Sequence, residues 1–255
     1  MTSTTNDDDQ YLSKVPEITL LFWVIKIAAT TLGETGGDAV SMSMGLGYLA
    51  ATGIFAALFF LAVAAQIAAR RFNPFLYWAT IIATTTVGTT LADFADRSLG
   101  IGYAGGASLL FLLLIGSLTV WYRTMGTIAV DSVSSPKAEM FYWTTIMFSQ
   151  TLGTALGDWT ADSAGLGYTG AAAVFGAMLA IVVVAYYATG ISRTALFWSA
   201  FVITRPLGAV VGDFLDKPVS AGGLALSRYS ASAALLLFVA GCIVLFPHRA
   251  AEKAH

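Results

Sequence analysis

Four aspartates recur at one fixed position within four apolar blocks of the sequence, and carboxylates in such surroundings can bind cations or carry protons. Each block has a Trp, a Gly ten residues later and an Asp five residues after that Gly. The aspartates are Asp38, Asp93, Asp158 and Asp213. The Trp and Gly residues of the same register are Trp23, Trp78, Trp143, Trp198, Gly33, Gly88, Gly153 and Gly208. A charge that only solvates a loop need not return at a fixed distance from a Trp, so the repetition predicts a site assembled from equivalent parts.

Further carboxylates lie close to this register. Glu34 precedes Asp38 by four residues, which places both on nearly the same face of a helix. An acid at that depth is a candidate for a functional site, because a charge inside a membrane is costly. The other three blocks carry a second acid shortly after the first, and its role is open between tuning the site and solvating a loop. These second acids are Asp96, Asp162 and Asp216.

Two basic residues, Lys26 and Arg205, lie about ten residues into the first and seventh apolar segments. Both are expected near the middle of a membrane, where a cation must be paired or hydrated. Neither recurs in the other blocks, so the first and fourth copies have specialised. Each residue either forms a buried pair with an acid that fixes helix registry, or acts as a proton-linked switch or displaceable counter-ion.

Composition places the chain in a membrane. Apolar residues make up 57% of the 255 residues and charged residues only 11%, too few for the surface of a soluble protein. Eight apolar segments are each about 20 residues long, enough to cross a bilayer as a helix. They lie near 17–37, 48–69, 75–94, 102–122, 140–159, 166–188, 194–214 and 226–247. We therefore predict an all-α polytopic membrane protein with eight transmembrane helices.

The spacing of the blocks predicts four tandem, parallel two-helix repeats. Successive register Trp residues are 55, 65 and 55 residues apart, so the chain divides into two halves of two repeats. Copies with two crossings each are related by an axis along the membrane normal, which gives pseudo-fourfold or nested pseudo-twofold symmetry. The expected repeats are about 15–70, 71–123, 137–190 and 191–247. Together they form one membrane domain over 15–247, between a disordered cytoplasmic tail at 1–14 and a cytoplasmic tail at 248–255.

Small and aromatic residues within the blocks predict local structure. The run of small residues around each register Gly favours close helix packing, and the register Trp residues are expected to pack or to anchor helices at an interface. The Gly-Leu-Gly-Tyr sequence at 45–48 and its two counterparts predict turns that open the second helix of each repeat. Pro206 is expected to kink or break the seventh helix.

Basic residues indicate the orientation. The side of the termini and repeat junctions carries most of them, and by the positive-inside bias this side is cytoplasmic. These residues are Lys14, Arg70, Arg71, Arg123, Lys137, Arg193, Arg249 and Lys253. The opposite side carries Arg97, Lys217 and Arg228. We expect a multi-pass protein of the cell (inner) membrane with both termini in the cytoplasm.

Other chemistries find no support in the sequence. A phosphate-binding Gly loop with Lys, a Cys/His metal set and a Ser/His/Asp constellation are all missing, so neither an enzyme nor a cofactor is expected. A net charge of −2 provides no basic surface for nucleic acid. The expected partners are the lipid bilayer and a small inorganic ion, and carboxylate and carbonyl oxygens suit a hard cation. The identity of a metal and the oligomeric state stay open.

The four blocks, with an aromatic-Trp pair and a Gly and Asp at fixed distances, resemble a family of bacterial integral membrane proteins of unassigned function. That family is built from four tandem two-helix repeats, each with a recurring Trp. The resemblance extends from about Val15 to about Pro247 and implies an eight-helix membrane protein. The longer fourth turn, from Asp216 to Tyr229, departs from strict fourfold symmetry.

Three hypotheses for function follow. The first is a transporter or exporter of a small ion, a cation that is either a divalent metal or exchanged for protons, with the four register aspartates and Glu34 as ligands. The second is a membrane scaffold or sensor without transport activity, whose acids only organise outer loops. The third is an anion transporter centred on Lys26 and Arg205.

Overall fold

Eight long α-helices follow the eight apolar segments, and the computed structural model describes residues 13–251 of the chain. The helices are α1 Leu20–Asp38, α2 Gly47–Ala68, α3 Pro74–Asp93, α4 Tyr103–Met125, α5 Pro136–Asp158, α6 Gly167–Ala188, α7 Arg193–Asp216 and α8 Arg228–Leu245. Within residues 13–251 there is no β-strand, only a single antiparallel bridge between Pro16 and Ala250. The all-α fold is confirmed, and the segment boundaries predicted from the sequence lie within about four residues of the observed ones.

Local sequence explains where helices begin. The side chain of Asn73 accepts a hydrogen bond from the backbone N–H of Leu76, and Pro74 follows as the first residue of α3. Ser135 and Pro136 begin α5 in the same way. The capping side chain accepts a hydrogen bond from a backbone N–H that has no partner within the helix, and proline fixes its φ near the helical value.

The Gly pairs of the first three repeats open the second helix, as predicted. Gly45 and Gly47 have φ values of 70° and 75°, in the left-handed region that favours glycine. The equivalent Gly pairs of the second and third repeats have positive φ as well. The fourth repeat replaces this turn with a longer loop that contains the short 3₁₀ turn Val219–Ala221.

A single turn of π-helix follows the first helix in three of the four repeats. In the first repeat, the N–H of Met44 donates to the carbonyl of Ala39, five residues earlier, at 2.9 Å. The π-turns are Ala39–Ser43, Phe94–Ser98 and Trp159–Ser163. In the fourth repeat α7 instead continues to Asp216, and it passes through Pro206 without a break. Of the two effects expected of Pro206, a kink or a break, the break is therefore absent; the Pro206 ring faces Gly153 of α5.

The first helices of the four repeats form a closed inner ring. Helix α1 packs against α3, α3 against α5, α5 against α7, and α7 against α1 again. The second helix of each repeat packs on the inner helix of the following repeat: α2 on α3, α4 on α5, α6 on α7 and α8 on α1. This arrangement realises the predicted pseudo-fourfold order and places the helices that carry the register acids at the centre.

The register glycines form the contacts between neighbouring inner helices. A Cβ atom added at Gly33 would overlap Thr85, and one added at Gly208 would overlap Thr30. The full set of facing pairs is Gly33–Thr85, Gly88–Gln150, Gly153–Arg205 and Gly208–Thr30. The residue that faces each Gly lies seven positions after the register Trp of the neighbouring inner helix. Because glycine has no side chain, the two helices can approach closely there, as small residues allow in membrane proteins.

Six of the eight helices are long and apolar enough to span a membrane. Helices α1 and α5 are long enough too, but they are more polar and are not among the six. They occupy the same place in the ring as α3 and α7, with their polar side chains turned inward. Exposed apolar residues cover the outer helices, as expected of a surface in contact with lipid.

Both ends of the described chain pack against the junction side of the bundle. The N–H of Ala251 donates to the carbonyl of Val15, and the N–H of Glu17 donates to the carbonyl of Arg249. The Nζ atom of Lys14 lies 2.6 Å from Oε1 of Glu139, in a buried ion pair. Ordered structure thus extends beyond the predicted membrane domain at 15–247, while residues 1–12 and 252–255 of the predicted tails lie outside the described residues.

Candidate functional site

Every fourth residue of each inner helix, counted from the residue before the register Trp, is buried where the four helices meet. Residues four apart lie on one helix face, so the four helices together build five stacked layers. From the junction side outward, these are Phe22/Tyr77/Tyr142/Phe197, Lys26/Ile81/Ile146/Phe201, Thr30/Thr85/Gln150/Arg205, Glu34/Thr89/Thr154/Ala209 and Asp38/Asp93/Asp158/Asp213. Each of these side chains is at most 7% exposed. The chemistry of the layers changes from aromatic to acidic along the bundle.

The outermost layer, which we call the acid layer, contains all four register aspartates, and two cations link its members in pairs. Lys217 donates a hydrogen bond of 2.5 Å to Oδ2 of Asp38 and lies 3.0 Å from Oδ1 of Asp213. Arg97 lies 2.7 Å from Oδ1 of Asp93 and 3.6 Å from Oδ2 of Asp158. The structure thus brings the four equivalent acids together at the outer end of the inner ring.

Arg97 and Lys217 occupy the same register position, 19 residues after the Trp of the second and fourth repeats. Each side chain reaches from its own repeat's aspartate to that of the next repeat around the ring. The first and third repeats have Met42 and Asp162 at this position. The acid layer therefore has pseudo-twofold rather than fourfold symmetry in its cations.

Lys217 lies just beyond the end of α7 and is largely covered by the acids around it. Burial opposes its charge, but the carboxylates of Asp213 and Asp38 more than offset that burial, and the pKa of Lys217 is raised above its usual value. The ammonium group thus stays charged and holds the two aspartates together.

Arg205 places its guanidinium among all three other inner helices. Its terminal nitrogen donates to Oε2 of Glu34 at 3.0 Å and to the hydroxyl of Thr89 at 2.6 Å. It also donates to the hydroxyl of Thr154. Arg205 and Glu34 are the buried pair that the sequence left open as one of two alternatives, and it ties α7 to α1.

Lys26 is fully buried one layer further in and has a different environment. Its ammonium group donates to the hydroxyl of Thr204 at 2.9 Å and to the carbonyl of Phe201 at 3.2 Å. It also lies 3.8 Å from the centroid of the Phe201 ring, a cation–π contact. Within residues 13–251 no carboxylate forms a salt bridge with Lys26.

Aromatic side chains fill the layer on the junction side. The hydroxyls of Tyr77 and Tyr142 lie 2.6 Å apart, and the rings of these tyrosines contact three of the four register Trp residues. Trp78, Trp143 and Trp198 are buried, in contact with Tyr or Phe rings, whereas Trp23 is half-buried. These Trp residues pack at the core, and the junction end of the bundle is closed by apolar contacts.

The second acids of the repeats do not share one role. Asp216 is buried and accepts a hydrogen bond of 2.8 Å from Arg228. Asp96 is half-buried and Asp162 is exposed, and neither takes part in the ion pairs of the acid layer. Of the three, only Asp216 lies within reach of the register aspartates.

Two groups of acids are arranged closely enough to hold a cation between them. One carboxylate oxygen from each member of a group lies within 4.8 Å of those of the other members. The groups are Glu34, Asp38, Asp93 and Asp38, Asp213, Asp216. Buried carboxylate oxygens of this kind are suited to hard cations such as Ca²⁺, Mg²⁺ or Mn²⁺.

Reasoning from the sequence missed the contribution of Arg97, Lys217 and Arg228 to this site. It interpreted them only as charges that indicate orientation, although all three contact acids of the site. Their signal was present: Arg97 and Lys217 share one register position in alternate repeats.

A comparison with protein families identifies the repeat. The sequence profile of one family, described as a repeat of unknown function (DUF347), matches the chain four times, at residues 21–72, 76–127, 141–192 and 196–249. The chain belongs to the DUF347 family. Each DUF347 match begins two residues before a register Trp, so the family's repeat is the one observed in the sequence. No curated protein and no solved structure matches the chain.

Proposed function

We propose that this DUF347 protein transports a small cation through the centre of the inner helix ring, with the acid layer as its point of entry. The observation that carries the proposal is the convergence of four register aspartates at one end of that ring, continued inward by Glu34. Hydroxyl groups of Thr89 and Thr154 extend the polar surface to Arg205. The outer layers thus supply oxygen ligands along the direction in which an ion crosses a membrane.

The balance of charges supports a cation rather than an anion as the transported species. The five stacked layers, the two linking cations and the adjoining Arg228–Asp216 pair contain six carboxylates and five cationic groups. The carboxylates are Glu34, Asp38, Asp93, Asp158, Asp213 and Asp216, and the cations are Lys26, Arg97, Arg205, Lys217 and Arg228. Buried charge without a counter-charge is costly, so the surplus acid favours uptake of a metal ion or proton.

The proposed direction of entry is from outside the cell. The junction side carries most of the basic residues, which by the positive-inside bias places it and both termini in the cytoplasm of a bacterial inner membrane. On that side the aromatic layer and the packed segments around Val15 and Ala251 close the bundle. The acid layer therefore faces the exterior in this conformation, and transport requires the junction end to open.

The test is ion flux into proteoliposomes, measured for Na⁺, K⁺, Ca²⁺, Mg²⁺, Mn²⁺, protons and Cl⁻. Asp38→Asn combined with Asp158→Asn removes two acids yet leaves Lys217 paired with Asp213 and Arg97 paired with Asp93. Since each cation keeps one partner, we expect the double variant to fold and to lose cation flux. Asp162→Asn, at an exposed acid of the same region, is the matched control and should retain it.

Full cation flux in a folded double variant would overturn the proposal. Absence of flux for every ion in the folded parent protein would favour a membrane scaffold or sensor, whose acids only organise the outer loops. Selective flux of Cl⁻ that is lost in Lys26→Met would instead favour an anion transporter centred on Lys26, which has no carboxylate partner within the described residues 13–251.

A further inference from the structure

The four contacts between neighbouring inner helices, which we call seams, differ in the acid layer. Arg97 fills the seam between α3 and α5, where it links Asp93 to Asp158. Lys217 fills the seam between α7 and α1, where it links Asp213 to Asp38. At these two seams the protein supplies the positive charge from its own chain.

The acids at the seam between α1 and α3 each contact a cation from another seam or layer: Glu34 contacts Arg205, Asp38 contacts Lys217 and Asp93 contacts Arg97. Among residues 13–251, however, no cation links Asp38 to Asp93 across this seam. The register position that would provide it is occupied by Met42, which is uncharged. Three acids meet at this seam, because Glu34 joins Asp38 and Asp93, with one oxygen of each within 4.8 Å of the others. All three residues are at most 2% exposed.

A second observation concerns the free oxygen of Asp38. Lys217 binds Oδ2 of Asp38, while Oδ1 is buried and has no hydrogen-bond partner among residues 13–251. A buried carboxylate oxygen without a partner costs free energy, and structures rarely leave one so. In the other three-acid group, Lys217 links Asp38 to Asp213 and Arg228 binds Asp216.

We propose that a divalent cation binds at the α1–α3 seam, held by carboxylate oxygens of Glu34, Asp38 and Asp93. The ion takes the place that Arg97 and Lys217 fill at neighbouring seams. This assignment deepens the proposed transport function, since it names the substrate class and the site where the substrate first binds, but binding itself is measurable without flux.

The ligand set favours a hard divalent ion of about the size of Ca²⁺. Ca²⁺ binds oxygens at about 2.3–2.6 Å, so its opposite ligands lie about 5 Å apart, and a group spread over at most 4.8 Å fits that range. The α5–α7 seam lacks a built-in cation too, but Thr154 replaces Glu34 there, which leaves only two acids.

The first test is Mn²⁺ binding to the full chain in detergent, followed by electron paramagnetic resonance with Ca²⁺ as the competitor. We expect one Mn²⁺ per chain in the parent protein. Met42→Lys restores a built-in cation at the α1–α3 seam, at the position equivalent to Lys217, and should weaken Mn²⁺ binding roughly 100-fold or more by charge repulsion at close range. Met42→Leu is the matched control and should bind like the parent.

A second variant removes the built-in cation from the seam between α3 and α5. Arg97→Met removes the cation between Asp93 and Asp158, so it should lower thermal stability, which added Ca²⁺ then restores. A folded Met42→Lys variant that binds Mn²⁺ as tightly as Met42→Leu would overturn the inference, as would a folded parent protein that binds neither ion.

These outcomes separate the site from the transport activity. Mn²⁺ binding that Met42→Lys abolishes, in a protein without any ion flux, would establish the site and refute transport. Cation flux that persists unchanged in Met42→Lys would refute the site and leave the proposed transport standing.

Discussion

The two ends of the inner helix ring use the same four helices and the same four-residue spacing, but they are closed in opposite ways. At the junction end, Phe and Tyr rings meet and the Tyr77 and Tyr142 hydroxyls share a hydrogen bond. At the outer end, aspartates meet and are held by Arg97 and Lys217. Because the backbone arrangement is common to both ends, the difference lies only in the side chains placed at each layer.

This difference shows which end responds to ions. Apolar packing of aromatic rings stabilises a structure almost independently of salt and metal ions. Buried ion pairs contribute little net stability compared with apolar residues of the same size, but they are sensitive to any competing cation. The acid layer therefore contributes less to the stability of the bundle than the aromatic layer does, but it is better suited to bind a cation.

The largest expected effect comes from separating Glu34 and Arg205, the pair between the two ends. Glu34→Leu or Arg205→Leu leaves one buried charge without its partner and should lower the free energy of unfolding by about 3–5 kcal/mol. The double Leu variant removes both charges and should recover most of that loss. Thermal unfolding in detergent measures all three variants, and losses that simply add in the double variant would contradict the pairing.

A smaller loss of stability is expected when a register Gly at a contact between inner helices is replaced by a larger residue. Gly208→Ala places a methyl group against Thr30 and should cost about 1–3 kcal/mol through overpacking. Gly176→Ala in the outer helix α6 meets no atom within 4 Å, and should stabilise the protein by about 0.5–1 kcal/mol through helix propensity. Equal thermal shifts for the two variants would mean that the inner helices do not approach closely at Gly208.

The smallest effect separates the two ends directly. Tyr77→Phe removes one hydroxyl–hydroxyl hydrogen bond and should cost about 0.5–1.5 kcal/mol, with no dependence on Ca²⁺. Lys217→Met removes a cation from the acid layer, and its loss of stability should shrink when Ca²⁺ is added. A Ca²⁺-dependent loss for Tyr77→Phe would break the distinction between the ends.

The sequence predicts the helices and the repeat well because both depend on local pattern. Apolar segments of membrane-spanning length mark the helices, and the Trp–Gly–Asp register marks the repeat. The location of the acids also follows from that register, since residues at equivalent positions must occupy equivalent places. The pairing of Arg205 with Glu34 was one of two open alternatives, because sequence alone does not show which helices adjoin.

The parts that were missed depend on contacts between repeats. The docking of α2 on α3, rather than on α1, has no counterpart in hydropathy. Arg97 and Lys217 occur in only two of four copies, so a search for residues common to all copies passed over them. Pro206 lies within a continuous α7 with its ring facing Gly153, a neighbour that helix propensity does not predict.

The docking of each second helix on the next repeat has a consequence for the number of chains that could form the ring. A polypeptide with only two repeats would present one uncovered inner helix and one second helix without a surface to cover. Two such polypeptides complete each other by exchanging these helices, so a symmetric dimer of half-length chains has the same ring. The present chain is equivalent to that dimer fused through residues 126–135. Because both halves lie in one chain, they need not be identical, and Lys26, Glu34 and Arg205 each occupy their layer position in one repeat only.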